Sequence, residues 1–149
     1  YILLAKAKLG DYSGATELIK NYWGSMIKMG ATTFWEEFDV SWTDNAYGID
    51  ELPIDGKRDI HGDCGDYCYV GFRKSLCHGW ASGPVPFLSK IIGGITILEP
   101  GCRKVMIKPN LGELKRIKVS YPTPFGNINI YADSKSLKID APDEIEIVK

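Results

Sequence analysis

The sequence predicts a multi-part chain, α first and then β: a helical part followed by a small antiparallel β-sandwich. Three observations predict it. Apolar residues recur at three-four spacing between Tyr12 and Met29, the mark of an amphipathic helix. Beyond Gly94 the apolar period falls to two, the mark of half-buried strands. Between these regions, residues 40–74 carry neither period and are rich in Gly, Asp and Pro. The change of period places a domain boundary at Gly93–Gly94, giving domains 1–93 and 94–149.

The elements follow in chain order. Ile2, Leu3, Ala5, Ala7 and Leu9 close a helix that Gly10 ends, and Asp11 can cap the next one, so the chain opens with a helical hairpin. In the second helix Ala15, Leu18, Ile19, Tyr22, Trp23, Met26 and Ile27 form the apolar face, opposite Glu17, Lys20, Asn21 and Lys28. Gly30 stops it, and Ala31 to Asp39 leave the helix end as a loop. Residues 40–74 read as a long ordered loop, a kind of segment that is uncommon in compact domains unless it is functional. Pro84 and Pro86 suit a first helical turn, and the last helix runs to Ile92 before Gly93–Gly94 redirect the chain.

Strands then follow at Ile95/Ile97, Val105/Ile107, Ile117/Val119/Tyr121, Ile128/Ile130, Leu137/Ile139 and Ile145/Ile147. Pro100–Gly101, Pro109–Gly112, Pro122–Gly126 and Ala141–Asp143 are the expected turns. The alternation puts Ile117, Val119, Ile128 and Ile130 between the sheets and Lys115, Lys118 and Asn129 in water.

At 149 residues the chain can bury close to ~70% of its unfolded surface, enough for one domain or two small ones sharing an interface. It is 44% hydrophobic and 25% charged, with a formal net charge of -1. That composition is globular, and it offers no electrostatic case for nucleic acid or an anionic membrane as partner. No apolar run is long enough to span a bilayer, and the opening residues are too short and wrongly flanked for a signal peptide. The chain lacks an initiator Met and starts inside an apparent helix, so it reads as part of a longer protein. Localisation is not readable; a periplasmic or secreted parent is one reading.

Cys64, Cys68, Cys77 and Cys102 are expected as mostly free, buried thiols, since a chain of this size does not depend on disulfides. A zinc site from His61, Cys64, Cys68, Cys77 and His78 is disfavoured by the spacing, which lacks a second matching pair. Asp59, Asp63 and Asp66 lack the ligand spacing and closing Glu of a calcium loop. No metal ligand and no cofactor is therefore assigned.

The chemistry concentrates in Gly30-Ala31-Thr32-Thr33-Phe34-Trp35-Glu36-Glu37-Phe38-Asp39, which delivers carboxylates, aromatic planes and hydroxyls directly after a helix stop. That grouping suits a sugar: aromatic faces cover the apolar side of a pyranose, polar groups meet its hydroxyls, and a carboxylate can activate water. The plainer alternative packs Phe34 and Trp35 in the core and leaves Glu36 and Glu37 in solvent.

Gly30 to Glu36 resembles the Gly-Ala-Thr-Thr-x-Trp-Glu signature of the bacterial α-L-rhamnosidases, glycoside hydrolase family 78. Ser75-Leu76-Cys77-His78-Gly79-Trp80-Ala81-Ser82-Gly83-Pro84 is similar to that family's next motif, in which a histidine reaches the bound sugar. The resemblance runs along the whole chain and matches the family's C-terminal end. It implies the last helices of an (α/α)6 catalytic barrel followed by a C-terminal β-sandwich, in an inverting hydrolase that releases terminal α-L-rhamnose from a glycoside or polysaccharide. Glu36 maps to the general base, with Glu37 as its rival, and His78 to a sugar contact. Trp35, Trp42 and Trp80 are candidate stacking planes, each weighed against core packing. The general acid lies upstream of these residues, so this stretch by itself is expected to be inactive. The interval between the two motifs is longer than is usual in the family, which bears on the shape of the pocket.

Two further expectations complete the reading. Barrel neighbours outside this stretch would leave Leu3, Ile19 and Trp23 unpacked, and exposed apolar positions of that kind favour self-association. The alternative function is a non-catalytic carbohydrate-binding or scaffold β-sandwich module. An aromatic platform on the sandwich, far from Glu36 and His78, would mark it.

Overall fold

A computed structural model describes residues 1–149. It contains a few helices followed by several small sheets, and it divides into two compact units: Tyr1–Ser13 with Pro84–Lys149, and Gly14–Gly83. The segment Pro84–Ile92 therefore folds with the strands that follow it. No helix is long and apolar enough to cross a membrane.

In the unit made of Tyr1–Ser13 and Pro84–Lys149, α1 (Ile2–Lys8) lies against a helical segment made of α4 (Pro84–Pro86) and a π-helical stretch, Phe87–Ile92. Leu3, Phe87 and Ile92 are buried there. Leu3 thus departs from the expectation that it lies open, because its own chain supplies the cover; Ile2 and Leu4 of α1, and Leu9 just after it, are exposed. Gly94 makes the sharp exit, with φ of 69°. A side chain there would meet the Lys108 carbonyl oxygen at 1.9 Å, and the backbone is fixed by Lys108 N–H donating to Gly94 O (2.9 Å) and Asn110 N–H to Ile92 O (2.9 Å). Only glycine combines that conformation with that approach.

Six strands form two three-stranded sheets: β3 (Ile95–Ile97), β4 (Lys104–Ile107) and β8 (Glu146–Val148) in the order β3-β4-β8, and β5 (Arg116–Thr123), β6 (Gly126–Asp133) and β7 (Leu137–Asp140) in the order β5-β6-β7. Ile95, Val105 and Ile107 of one sheet and Ile128 and Ile130 of the other share one core with Cys102 and Ile145. Ile117 is buried and Val119 half-buried, while Lys115, Lys118 and Asn129 are exposed, as the alternation requires.

Two details correct the sequence reading. The strands are not all antiparallel: β8 runs parallel to β4, with Val105 opposite Ile147. It arrives from the other sheet, not from a hairpin, through a connection that buries Ile145. Pro122 is also not a turn residue. It sits within β5 opposite Asn127, which an edge strand tolerates because its outer amides need no partner.

In the unit Gly14–Gly83, the expected long helix is present as α2 (Tyr12–Leu18), a π-helical stretch Ile19–Trp23, and α3 (Gly24–Lys28). The wider π turns were not readable from periodicity, although they sit where Tyr22 and Trp23 must face inward together. Met26, Met29, Trp35, Phe38, Ile60 and Cys64 form the core of this unit. Residues 40–74 hold only short 3-10 turns and the two-residue strands β1 (Ala46–Tyr47) and β2 (Arg58–Asp59), which pair in parallel. All four cysteines are free, but only Cys64 and Cys102 are buried; Cys68, in a short 3-10 turn, and Cys77 are exposed. His61, Cys64, Cys68, Cys77 and His78 do not assemble into a cluster that could hold a metal.

Candidate functional site

Two irregular stretches distant in sequence meet side by side. Glu36 N–H donates to Ser75 O (2.9 Å) and His78 N–H to Phe34 O (2.7 Å), while the Thr33 hydroxyl donates to Leu76 O. The Ser75 N–H in turn donates to Glu36 Oε2 at 2.8 Å, so the carboxylate is held by the same segment that carries the histidine. Each backbone amide involved is satisfied, which gives this irregular pair the directional grip of a short ladder. Its consequence is that Glu36 Oε1 stands 3.6 Å from His78 Nδ1.

Both side chains line a cavity of about 310 Å³. Glu36 keeps 20% and His78 32% of its side chain accessible, enough to meet a ligand from one side. One carboxylate oxygen is anchored and the other faces the histidine, an arrangement suited to accepting a proton from a water or hydroxyl in a fixed direction. Glu37 lines the same cavity, but its Oε2 accepts the Asp66 N–H at 3.1 Å, tying it to the long loop.

The three tryptophans separate. Trp35 lines the cavity with an almost wholly buried ring, packed edge-on against Phe38 at 5.7 Å, and its indole N–H has no protein partner. Trp80 lines the cavity with 90% of its surface exposed, leaving a face free. Trp42 is not brought to the cavity. It packs edge-on against Phe38 at 6.3 Å and lies under the Lys74 ammonium, whose Nζ is 4.7 Å from the ring centroid.

Lys74 is the buried charge of this unit, only 2% exposed. Its Nζ donates to Ile60 O (3.1 Å) and Cys64 O (2.7 Å), and burial holds its ammonium below the usual lysine range. The two carbonyls and the Trp42 face replace the water it has lost. Because Lys74 immediately precedes Ser75, this cage fixes the start of the segment that grips Glu36.

Sequence reasoning did not single out Tyr22, Trp23 or Tyr69, all of which line the cavity. Tyr22 and Trp23 belong to the apolar face of a helix, where periodicity marks them as core. Tyr22 donates its hydroxyl to Phe38 O (2.7 Å), and burial, then Asp39 and Glu37, push its phenol up. Trp23 donates its indole N–H to Ala81 O at 3.0 Å. Tyr69 lies in the irregular loop, which carries no pattern that could have pointed to it.

No protein-family model matches the chain, and no curated protein matches it. Among solved structures the chain is similar to the crystal structure of a GH78 family rhamnosidase of Bacillus sp. GL1, with a TM-score of 0.67 and 26% sequence identity. The match covers 97% of this chain and 14% of that one. The likeness supports a fold like that of glycoside hydrolase family 78 and relates this chain to one stretch of a much longer hydrolase.

Proposed function

We propose that the cavity is the general-base side of a glycoside hydrolase site that releases terminal α-L-rhamnose with inversion, in a longer protein of which residues 1–149 are one part. The observation that carries the reading is the meeting of Glu36 and His78 at 3.6 Å in one cavity. Glu36 acts as the base. With Oε2 held by the Ser75 amide, Oε1 takes the proton of the attacking water, and that water adds to the anomeric carbon on the face opposite the leaving oxygen. His78 binds a sugar hydroxyl, and the exposed Trp80 covers the apolar face of the ring, while Trp35 stands in the wall behind the carboxylate. No residue of this chain is given the role of acid. Inversion needs the second carboxyl roughly 6.5–9.5 Å away across the sugar, and the reading places it on a part of the protein outside this stretch.

The same reading makes residues 1–93 the last part of an (α/α)6 catalytic barrel and 94–149 its C-terminal sandwich. A non-catalytic sandwich module is the rival. It needs an aromatic platform on the sandwich, where Tyr131 is the one large aromatic residue that is exposed. The aromatic residues gathered around Glu36 favour the hydrolase.

Kinetics on an aryl α-L-rhamnoside tests this in the full-length protein. Glu36→Gln keeps the size and hydrogen-bonding reach of Glu and is expected to lower kcat by about 10² to 10⁴ with KM little changed. Glu37→Gln is expected to retain most of kcat. Near-normal turnover by Glu36→Gln would remove Glu36 from the role of base.

A further inference from the structure

The cavity beside Glu36 has a wall that neither motif segment supplies. Tyr69 lines it together with Glu36, Glu37 and His78, and it comes from the loop between Ile60 and Lys74. That loop is closed on itself at several points. Lys74 Nζ gathers the carbonyls of Ile60 and Cys64, Gly71 N–H donates to Cys64 O (3.2 Å), and Tyr69 N–H donates to Asp66 O (3.0 Å). Gly65 has φ of 137°, and a side chain on it would meet the Tyr69 carbonyl oxygen at 2.3 Å. The tip is then tied to the site by the Asp66 N–H donating to Glu37 Oε2 at 3.1 Å. These contacts fix the Tyr69 backbone while 37% of the residue stays accessible.

The two tyrosines of the cavity differ in the partners of their hydroxyls. Tyr22 spends its proton on the Phe38 carbonyl. The Tyr69 hydroxyl instead hydrogen-bonds the Cys68 side chain, at the exposed side of the loop, and Cys68 first and then the Glu36 carboxylate raise its pKa. A neutral phenol can donate to one sugar oxygen and accept from another, and its ring offers an apolar face.

We propose that Tyr69 is a substrate-contacting residue of this cavity, its ring and hydroxyl meeting the pyranose held against Glu36 and His78, so that the loop bearing it sets which sugar the cavity accepts. The proposal rests on the reading of the cavity as a sugar site. It adds a specificity element that lies in neither motif, and it gives Glu37 the task of positioning that element.

The test compares Tyr69→Ala, Tyr69→Phe and Tyr67→Asn in the full-length protein. Tyr67 belongs to the same loop, is 91% exposed and does not line the cavity; its φ of 58° suits asparagine. Against an aryl α-L-rhamnoside, Tyr69→Ala is expected to raise KM about tenfold or more, Tyr69→Phe by less, and Tyr67→Asn by under about twofold. A KM for Tyr69→Ala within about twofold of the unaltered protein, or an equal rise in Tyr67→Asn, overturns the proposal.

If the unaltered protein turns over no α-L-rhamnoside, the proposed function fails, and Tyr69 is then judged by binding. Tryptophan fluorescence is titrated with free L-rhamnose, L-fucose, D-mannose, D-glucose and D-xylose. Saturable binding of one of them, weakened about tenfold by Tyr69→Ala and not by Tyr67→Asn, supports the contact. Binding unaffected by Tyr69→Ala, or no saturable binding of any of them, overturns it.

Discussion

The β5–β6 hairpin and the pairing of residues 34–36 with 75–78 are both joined through their backbones, yet they are specified in different ways. In the hairpin, Thr123 and Gly126 are paired across a link of two residues, and seven further residue pairs follow in register. Closing it costs little chain entropy, and alternating side chains fix which face is inward. In the other pairing the partners are 39 residues apart for Glu36 and Ser75 and 43 for Thr33 and Leu76. Nothing periodic holds that loop closed. It depends on individual polar contacts: the Lys74 cage, the Glu37 tether and the carboxylate of Glu36 itself. The regular region is built from repeated small terms, and the candidate site from a few large ones.

This contrast predicts where single substitutions hurt most. The largest effect is expected at Lys74. Lys74→Met keeps the length of the side chain but takes away the ammonium that donates to the buried Ile60 carbonyl and leaves the Cys64 carbonyl only its Gly71 amide, a loss of about 2–4 kcal/mol. Denaturant unfolding measures it, and cavity function should fall with it because Ser75 is the next residue. A loss below about 0.5 kcal/mol would mean that the loop is held by something other than this cage.

A smaller effect is expected at the turn after β6, where Asp133 Oδ1 accepts the N–H groups of Lys135 and Ser136, each at 2.8 Å, and the Ser136 hydroxyl at 3.1 Å. The Lys135 amide foremost holds the carboxyl below its ordinary 3.8. The folded pKa is therefore depressed, so the contribution is complete above 3.8 and is lost as pH falls through the folded value. Comparing Asp133→Asn with the unaltered chain from neutral pH down into that window should show a small stability difference that closes with acid. A difference that grows with acid would contradict the assignment. Since Asp133 is only half-buried, at the end of β6, the hairpin around it should persist.

The same contrast explains what was legible in the sequence. Period-two runs named every strand of the sandwich, because Ile128 and Ile130 face inward by local alternation alone. The parallel placement of β8 was hidden, since the run Ile145/Ile147 says which residues face the core but not which strand they join. The Gly-Ala-Thr-Thr and Cys-His-Gly-Trp stretches drew attention to Glu36 and His78, and the backbone contacts of Phe34, Glu36, Ser75 and His78 bring those two side chains together. Trp42 looked like a stacking plane by composition, yet the Lys74 ammonium occupies its face. Tyr69 reaches the cavity through contacts between residues such as Gly65, Asp66 and Glu37, whose meeting depends on the closed loop.

The central claim, that Glu36 is the base at this cavity, is tested most directly by chemical rescue. Glu36→Ala in the full-length protein removes the carboxylate and leaves room for a small anion beside His78. Added azide needs no deprotonation to attack the anomeric carbon. The account predicts that azide restores turnover of an aryl α-L-rhamnoside by Glu36→Ala and yields β-L-rhamnosyl azide, while Glu37→Ala gains nothing from it. Rescue of Glu37→Ala, or substantial turnover by Glu36→Ala without azide, would contradict the claim.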